Sequence, residues 1–153
     1  MKALIDTNVL LDVFLKREPF YRDSKKILQM VKDMEIDGYV SVQTLKDIYF
    51  LYKKSGTKDP LYPIQVLLLF FEVLDVTRDD LISVLTSNID DLEDGLIAFS
   101  AIRNGVNTII TRNEKDFSEA EMAVINPKDV GKFIGNRAEG GNIMIDNVFD
   151  IGG

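Results

Sequence analysis

The chain of 153 residues contains neither cysteine nor histidine. Without cysteine it has no disulfide, no thiol nucleophile and no cysteine-ligated zinc site. Without histidine it has no imidazole for proton transfer, for a catalytic triad or for a transition-metal site. Any acid–base or metal chemistry must therefore depend mainly on carboxylates, whose hard oxygen atoms suit Mg²⁺ and Mn²⁺.

Long hydrophobic segments are also absent. The longest uninterrupted apolar run is Val66–Phe71, which is far shorter than the ~20 residues that cross a bilayer. Asp6 and Asp12 interrupt the apolar stretch at the N-terminus, so this stretch lacks the pattern of a signal peptide. We therefore expect a cytoplasmic protein that does not bind a membrane.

Positive charge is in deficit, because 18 Lys and Arg residues oppose 25 Asp and Glu residues, for a net charge of −7. Domains that bind nucleic acid usually carry a basic excess. A metal site, however, concentrates acidic residues whose charge is partly offset by bound cations. The net charge therefore argues only against indiscriminate binding of nucleic acid.

Short apolar strands alternate with helical patterns along the chain. The predicted strands are Lys2–Ile5, Gly38–Val42, Val73–Val76, Thr108–Ile110 and Met122–Ile125. The predicted helices are Asn8–Lys16, one that follows Pro19 and includes Ile27, Leu28 and Val31, then Gln43–Lys54, Leu61–Phe71, Asp79–Thr86, Asp91–Asn104, and one from Pro127 to about Ile134. The alternation predicts an α/β fold, a three-layer α/β/α sandwich with a central, mostly parallel sheet.

The pattern predicts one domain over residues 1–134 and a C-terminal tail over residues 135–153. The tail is rich in Gly, Asn and Asp around two apolar patches. Three interpretations of the tail remain open: a disordered segment, an added edge strand, or a segment that packs on a partner.

Several acidic residues fall where the predicted elements reach one edge of the sheet. Ligand sites in open parallel sheets form at the carboxyl ends of the strands, and a group of carboxylates there would repel one another unless cations were bound. The pattern therefore favours a Mg²⁺ or Mn²⁺ pocket. Its candidate residues are Asp6 after the first strand, Asp47 one turn into the next helix, Asp91 and Asp94 at one helix start, and Asp116 after Thr108–Ile110.

Each acid considered alone also has a structural interpretation. Asp91 and Asp94 can complement the helix dipole. Asp47 can be a solvated helix residue, and Asp116 can form a turn. Asp6 is hardest to explain in this way, because a short apolar strand that ends in Asp-Thr-Asn is unusual without a function.

Four segments resemble, in the correct order, the acidic motifs of the PIN-domain family, which includes VapC-type toxins. They are Leu4–Asp12 (LIDTNVLLD), Val40–Tyr49 (VSVQTLKDIY), Asp91–Leu96 (DLEDGL) and Thr111–Phe117 (TRNEKDF). The resemblance covers roughly residues 1–134. It implies a PIN-like fold and a Mg²⁺- or Mn²⁺-dependent endoribonuclease that acts as the toxin of a type II toxin–antitoxin system.

The resemblance also implies roles for individual residues. The implied catalytic residues are Asp6, Asp47, Asp94 and Asp116, and the implied metal ligands are Asp6, Asp94 and Asp116, with Asp91 as an auxiliary acid. The neutral and basic residues implied to orient the ligands or to contact the RNA are Thr7, Asn8, Thr111, Arg112, Asn113 and Lys115. Two positions depart from the family: Asp47 replaces the usual Glu, so it is expected to bind metal directly or through water, and Gly95 replaces a common Ala.

Two surface features carry expectations about partners. Basic residues in 16–26 and 46–58 are either solvated helix faces or contacts for an RNA backbone. The helix Leu61–Phe71 is more apolar than a peripheral helix requires. Burial in the core would explain it, but we favour a homodimer or antitoxin surface.

Three other classes of protein compete with this interpretation. Haloacid-dehalogenase-type phosphatases need a second Asp two positions after the first, where this chain has Asn8. Response-regulator receivers need an Asp at the end of a middle strand, and Val40–Val42 ends without one. A catalytically weak PIN-like module that only binds RNA or protein is the remaining alternative.

Overall fold

The sheet at the centre of the fold has five strands in the computed structural model, which describes residues 1–134. The strands are β1 (Lys2–Ile5), β2 (Asp37–Ser41), β3 (Glu72–Leu74), β4 (Thr108–Ile110) and β5 (Ala123–Ile125). Their order across the sheet is β3-β2-β1-β4-β5, and all four pairings are parallel. The predicted tail at 135–153 lies outside the described residues.

Helices connect these strands. They are α1 (Thr7–Phe14), α2 (Tyr21–Lys32), α3 (Val42–Lys54), α4 (Tyr62–Phe70), α5 (Arg78–Leu85) and α6 (Leu92–Arg103). Short 3₁₀ helices cover Glu114–Phe117 and Pro127–Lys132, so the helix predicted from Pro127 is a 3₁₀ turn rather than an α-helix. Within residues 1–134, no helix has both the length and the apolarity that a membrane span requires.

The two faces of the sheet carry separate cores. Side chains alternate along a strand, and in β1 Ala3 and Ile5 join the larger apolar cluster, which includes residues of α1 to α4. Leu4 points into the smaller cluster, where it joins Ile97 and Ala101 of α6. The sheet is therefore covered on both sides, and the predicted three-layer α/β/α sandwich is confirmed.

Polar caps start the helices directly at the ends of strands. Asp6 caps α1 immediately after β1, and Ser41, the last residue of β2, caps α3 by accepting a hydrogen bond from the Thr44 amide at 3.0 Å. Such caps satisfy backbone N–H groups that lack partners within the helix. They leave almost no loop between strand and helix, so polar residues are held at the carboxyl edge of the sheet.

Close packing between α5 and α6 explains the glycine at position 95. A Cβ atom at Gly95 would lie 2.7 and 2.9 Å from the two methyl carbons of Val84. At the far end of α6, Arg103 donates two hydrogen bonds of 3.0 Å to the carboxylate of the buried Asp80. The approach of α5 to Gly95 therefore leaves no room for the Cβ of an alanine at this position.

We expect the substitution Gly95→Ala to destabilise the protein despite the better helix propensity of alanine. Overpacking costs about 1–3 kcal/mol, whereas the gain in propensity is at most about 1 kcal/mol. Chemical denaturation of Gly95→Ala should show a net loss, and Val84→Ala in the same chain should recover part of it. A Gly95→Ala protein more stable than the wild type would show that α5 moves away at no cost.

Candidate metal centre

Asp6 is held in one orientation by three hydrogen bonds. Its Oδ1 accepts from the amide of Thr7 at 2.8 Å. Its Oδ2 accepts from the hydroxyl of Thr111 at 2.7 Å and from the side-chain amide of Asn8 at 3.2 Å. Thr111 follows β4, so these bonds join the ends of two neighbouring strands. The carboxylate is therefore fixed before any ligand binds.

The charged form of Asp6 is nevertheless disfavoured. Burial raises the pKa of Asp6, and repulsion from Asp116 adds to this, while hydrogen bonds from Thr111 and Thr7 and the charge of Arg112 lower it. The net result is a pKa above the ordinary value of 3.8. Asp6 and Asp116 are therefore close enough for each charge to affect the other.

Asp94 lies in the first turn of α6 and completes the group. Burial raises the pKa of Asp94 to about 7, and repulsion from nearby carboxylates contributes. These carboxylates are Asp91, Asp116, Asp6 and Glu93, in decreasing order of effect. The fold thus brings together the three residues implied as metal ligands, and we refer to Asp6, Asp94 and Asp116 as the acidic cluster.

Asp116 and Asp91 reach this edge through local structure. Asp116 lies in the 3₁₀ helix Glu114–Phe117, which the buried side chain of Phe117 anchors in the smaller core. Asp91 is the N-cap of α6, and its Oδ1 accepts a hydrogen bond from the Asp94 amide at 2.9 Å. One oxygen of Asp91 is thus engaged in capping, which is a structural role at the start of the helix, while its charge still acts on Asp94.

Asp47 interacts with a residue that the sequence did not single out. Burial raises the pKa of Glu93, and a hydrogen bond and charge repulsion from Asp47 raise it further. Asp47 on α3 and Glu93 on α6 therefore form a carboxyl pair next to the acidic cluster. The sequence did contain a signal for Glu93, because the DLED segment places it beside Asp94 in the first turn of the same helix.

The six residues implied to orient ligands or bind substrate differ in their surroundings. Asn8 and Thr111 both bond Asp6, and the Thr7 hydroxyl donates to Thr44 at 3.0 Å. Asn113 and Lys115 have exposed side chains. The hydrogen bonds account for the orienting role of Asn8 and Thr111, while contact of any of the six with RNA stays a prediction.

The chemistry of the acidic cluster matches a hard divalent cation. All of its donors are carboxylate oxygens, which Mg²⁺ and Mn²⁺ prefer. The carboxylates repel one another, so a cation among them would stabilise their charged forms. Within residues 1–134, no three acidic side chains are preassembled around one point as a metal cage. Binding would therefore require side-chain rotation, most readily by the exposed Asp116.

Comparison with known proteins identifies the family of the chain. A family model described as "PIN domain" matches residues 2–115 of the chain. The chain belongs to the PIN-domain family. The match includes the segments with Asp6, Asp47 and Asp94 and ends one residue before Asp116.

Individual known proteins are similar to this chain. Ribonuclease VapC1 of Aquifex aeolicus is 22% identical over 133 residues, which are 84% of this chain and 92% of the relative. A toxin–antitoxin complex from Klebsiella pneumoniae contains a chain with 26% identity and a TM-score of 0.62, covering 82% of this chain and 97% of that one. VapBC2 from Rickettsia felis, bound to a DNA fragment from its promoter, matches with 19% identity and a TM-score of 0.61, over 82% and 98% of the two chains.

Proposed function

We propose that this PIN-domain protein is a Mg²⁺- or Mn²⁺-dependent endoribonuclease and the toxin of a toxin–antitoxin pair. The observation that carries the proposal is the convergence of Asp6, Asp94 and Asp116 at one sheet edge, where burial and the charges of neighbouring carboxylates, Asp6 and Asp116 among them, raise the pKa of Asp94 to about 7. The relative called Ribonuclease VapC1 and the similarity to toxin–antitoxin complexes support the substrate class and the biological role.

The residues of the site would have different roles in the reaction. Asp6, Asp94 and Asp116 would hold the cation, which when bound supplies positive charge to the scissile phosphate and lowers the pKa of an attacking water. Asn8 and Thr111 keep the Asp6 oxygens in place. Glu93, paired with Asp47 beside the cluster, would accept the proton that this water releases, since a raised pKa makes its carboxylate a stronger base.

A cleavage assay tests the proposed function. We expect purified protein to cleave single-stranded RNA in Mg²⁺ or Mn²⁺, to leave 5′-phosphate and 3′-hydroxyl ends, and to stop in excess EDTA. Undiminished cleavage in EDTA would contradict the metal mechanism. RNA binding without cleavage at any Mn²⁺ concentration would instead favour the alternative of a PIN-like binding module.

A partner surface is part of the proposal. Leu68 and Leu69 on α4 are 56% and 73% exposed, and Phe50 on the adjoining α3 is 52% exposed. The same helix α4 buries Val66 and Leu67 in the core, so core packing explains only one side of it. Apolar side chains exposed on neighbouring helices are typical of a surface covered by a partner, here an antitoxin or a second copy of the chain.

We expect the double substitution Leu68→Glu and Leu69→Glu to block association with the antitoxin or with a second copy of the chain. Burying two carboxylates in an apolar interface is strongly unfavourable, so sedimentation should shift toward monomer, or the coexpressed antitoxin should no longer copurify. Leu85→Glu is the matched control, because Leu85 is 79% exposed and ends α5, which packs on α6 at the other face of the sheet. Unchanged mass together with unchanged copurification would show that Leu68 and Leu69 are not part of an interface.

A further inference from the structure

A fully buried carboxylate, Asp12 of α1, binds two arginines. Arg112 donates to Asp12 through Nε at 2.7 Å and through Nη2 at 3.1 Å, a bidentate arrangement. Arg17 donates through Nε at 2.9 Å, and the hydroxyl of Ser24 donates at 3.1 Å. A buried charge with this many partners is stabilised by them and is costly to disturb.

These bonds join parts of the chain that are far apart in sequence. Asp12 is in α1, Ser24 is in α2, and Arg112 lies in the loop after β4, 100 positions from Asp12. The guanidinium carbon of Arg112 also lies 3.8 Å from the centroid of the Phe20 ring. Ion pairing in the guanidinium plane and an aromatic ring near its face hold Arg112 in one position.

The same arginines contact the residue that orients Asp6. Arg17 donates through Nη2 to the carbonyl of Asn8 at 2.9 Å, and the backbone amide of Arg112 donates to Asn8 Oδ1 at 3.3 Å. The Asn8 amide in turn donates to Asp6 and to Thr111. A continuous chain of hydrogen bonds therefore runs from Asp12 through its arginines and Asn8 to Asp6.

We propose that Arg112, which is held by its ion pair with Asp12, is a positioning residue. It preorganises Asp6 and the loop that contains Asp116 for binding a divalent cation. The proposal rests on the proposed function, since the cation is the one expected there. It assigns to Arg112 a role other than RNA contact, in keeping with a side chain that is only 22% exposed and is paired in the protein. Residues that orient metal ligands commonly change metal affinity by 10–100-fold when they are replaced.

Charge and position predict opposite effects of removing Arg112. The positive charge of Arg112 acts on Asp6, so on electrostatic grounds alone its loss would make the site bind a cation more tightly. If Arg112 positions the ligands, its loss makes binding weaker. The direction of the change in Mn²⁺ affinity therefore separates the two effects.

The chain offers a matched control for this substitution. Arg103 also makes a two-point hydrogen-bonded pair with a buried carboxylate, that of Asp80. It lies in the last turn of α6, nine residues from Asp94, which is about 13 Å along the helix. Arg112→Met and Arg103→Met thus remove the same side chain from similar pairs, and in Arg112→Met the carboxylate of Asp12 keeps Arg17 and Ser24.

Titration calorimetry with Mn²⁺ is the first measurement. We expect Arg112→Met to raise the Mn²⁺ dissociation constant by about 10-fold or more and Arg103→Met to leave it within about twofold, although both lose thermal stability. If Arg112→Met folds poorly, Arg112→Lys, which keeps the charge but not the two-point geometry, is expected to weaken binding in the same direction. Unchanged or tighter binding by the Arg112 variants overturns the proposal.

Amide hydrogen exchange in EDTA is the second measurement and needs no metal. The amides of Asn113 and Asp116 donate hydrogen bonds at 3.0 and 3.1 Å within the loop. Arg112→Met should speed exchange across residues 111–117 at least about tenfold relative to Arg103→Met, and equal exchange in the two variants overturns the proposal. If wild-type protein binds no Mn²⁺, the proposed function fails, while the exchange comparison still decides whether Arg112 positions the loop.

Discussion

The Asp6→Asn protein is expected to lose RNA cleavage by about 10²-fold or more while keeping its fold. Removing one group that stabilises developing charge usually costs that much, and Asp6 is a predicted metal ligand whose carboxylate is held by three hydrogen bonds. Asn retains an acceptor for the Thr7 amide, so the α1 cap survives. Asp116→Asn should cause a comparable loss, measured as initial rates at saturating Mn²⁺.

Two further substitutions serve as comparisons for the loss of activity in Asp6→Asn. Asp37→Asn removes an exposed carboxylate at the first residue of β2, on the opposite edge of the sheet, and should leave the rate unchanged. Asp47→Ala should cost less than Asp6→Asn, because Asp47 is paired with Glu93. Equal losses in Asp6→Asn and Asp37→Asn would contradict the assignment of the site, and a full loss in Asp47→Ala would make that residue a direct participant.

Mn²⁺ should also raise the melting temperature by roughly 5–10 °C. A ligand that binds only the folded state adds about 2.7 kcal/mol at a hundredfold excess over its dissociation constant, and 1 kcal/mol is worth about 2–4 °C in a chain of this size. Asp6→Asn removes a repelling charge and a ligand, so it should melt higher than wild type in EDTA and respond little to Mn²⁺. A mutant that is no more stable in EDTA and still responds fully would show that these carboxylates do not form the site.

The response to Mn²⁺ should depend on pH through Asp94. Its pKa is raised from 3.8 to about 7 in the folded, metal-free protein, so the folded state binds more protons than the unfolded state between these values. The contribution of Asp94 to metal-free stability is therefore present below pH 3.8 and is lost as the pH rises through about 7. Because the cation competes with this proton, the increase in melting temperature should be larger at pH 8 than at pH 6.

The sequence predicted the fold because its evidence is local and repeated. Apolar runs such as Lys2–Ile5 and Thr108–Ile110 have the same bounds in the structure. Other bounds differ from the prediction. Helix α5 begins one residue earlier than predicted, at Arg78, because Thr77 caps it through a capping box. Strand β3 ends at Leu74 rather than Val76. The 3₁₀ segment Pro127–Lys132 packs against α2, and helix periodicity does not describe such a contact.

The site was predictable only where its residues follow strands or begin helices. Asp6, Asp94 and Asp116 occupy such positions, and the structure brings them together. The Asp12–Arg112 pair was not predicted, since it spans 100 positions and an Asp on the buried face of a helix has no distinctive spacing. At position 95 the sequence showed only an unusual residue type. The contact with Val84 that requires glycine there depends on how α5 packs against α6.

The most direct test of the proposed metal site is to locate Mn²⁺ by anomalous diffraction from crystals grown or soaked with the ion under conditions that support RNA cleavage. We expect an anomalous peak within coordination distance of Asp6, Asp94 and Asp116, and its loss in crystals of Asp6→Asn. A peak elsewhere, or none at this cluster while the same Mn²⁺ concentration supports cleavage, would contradict the claim that these three carboxylates hold the catalytic cation.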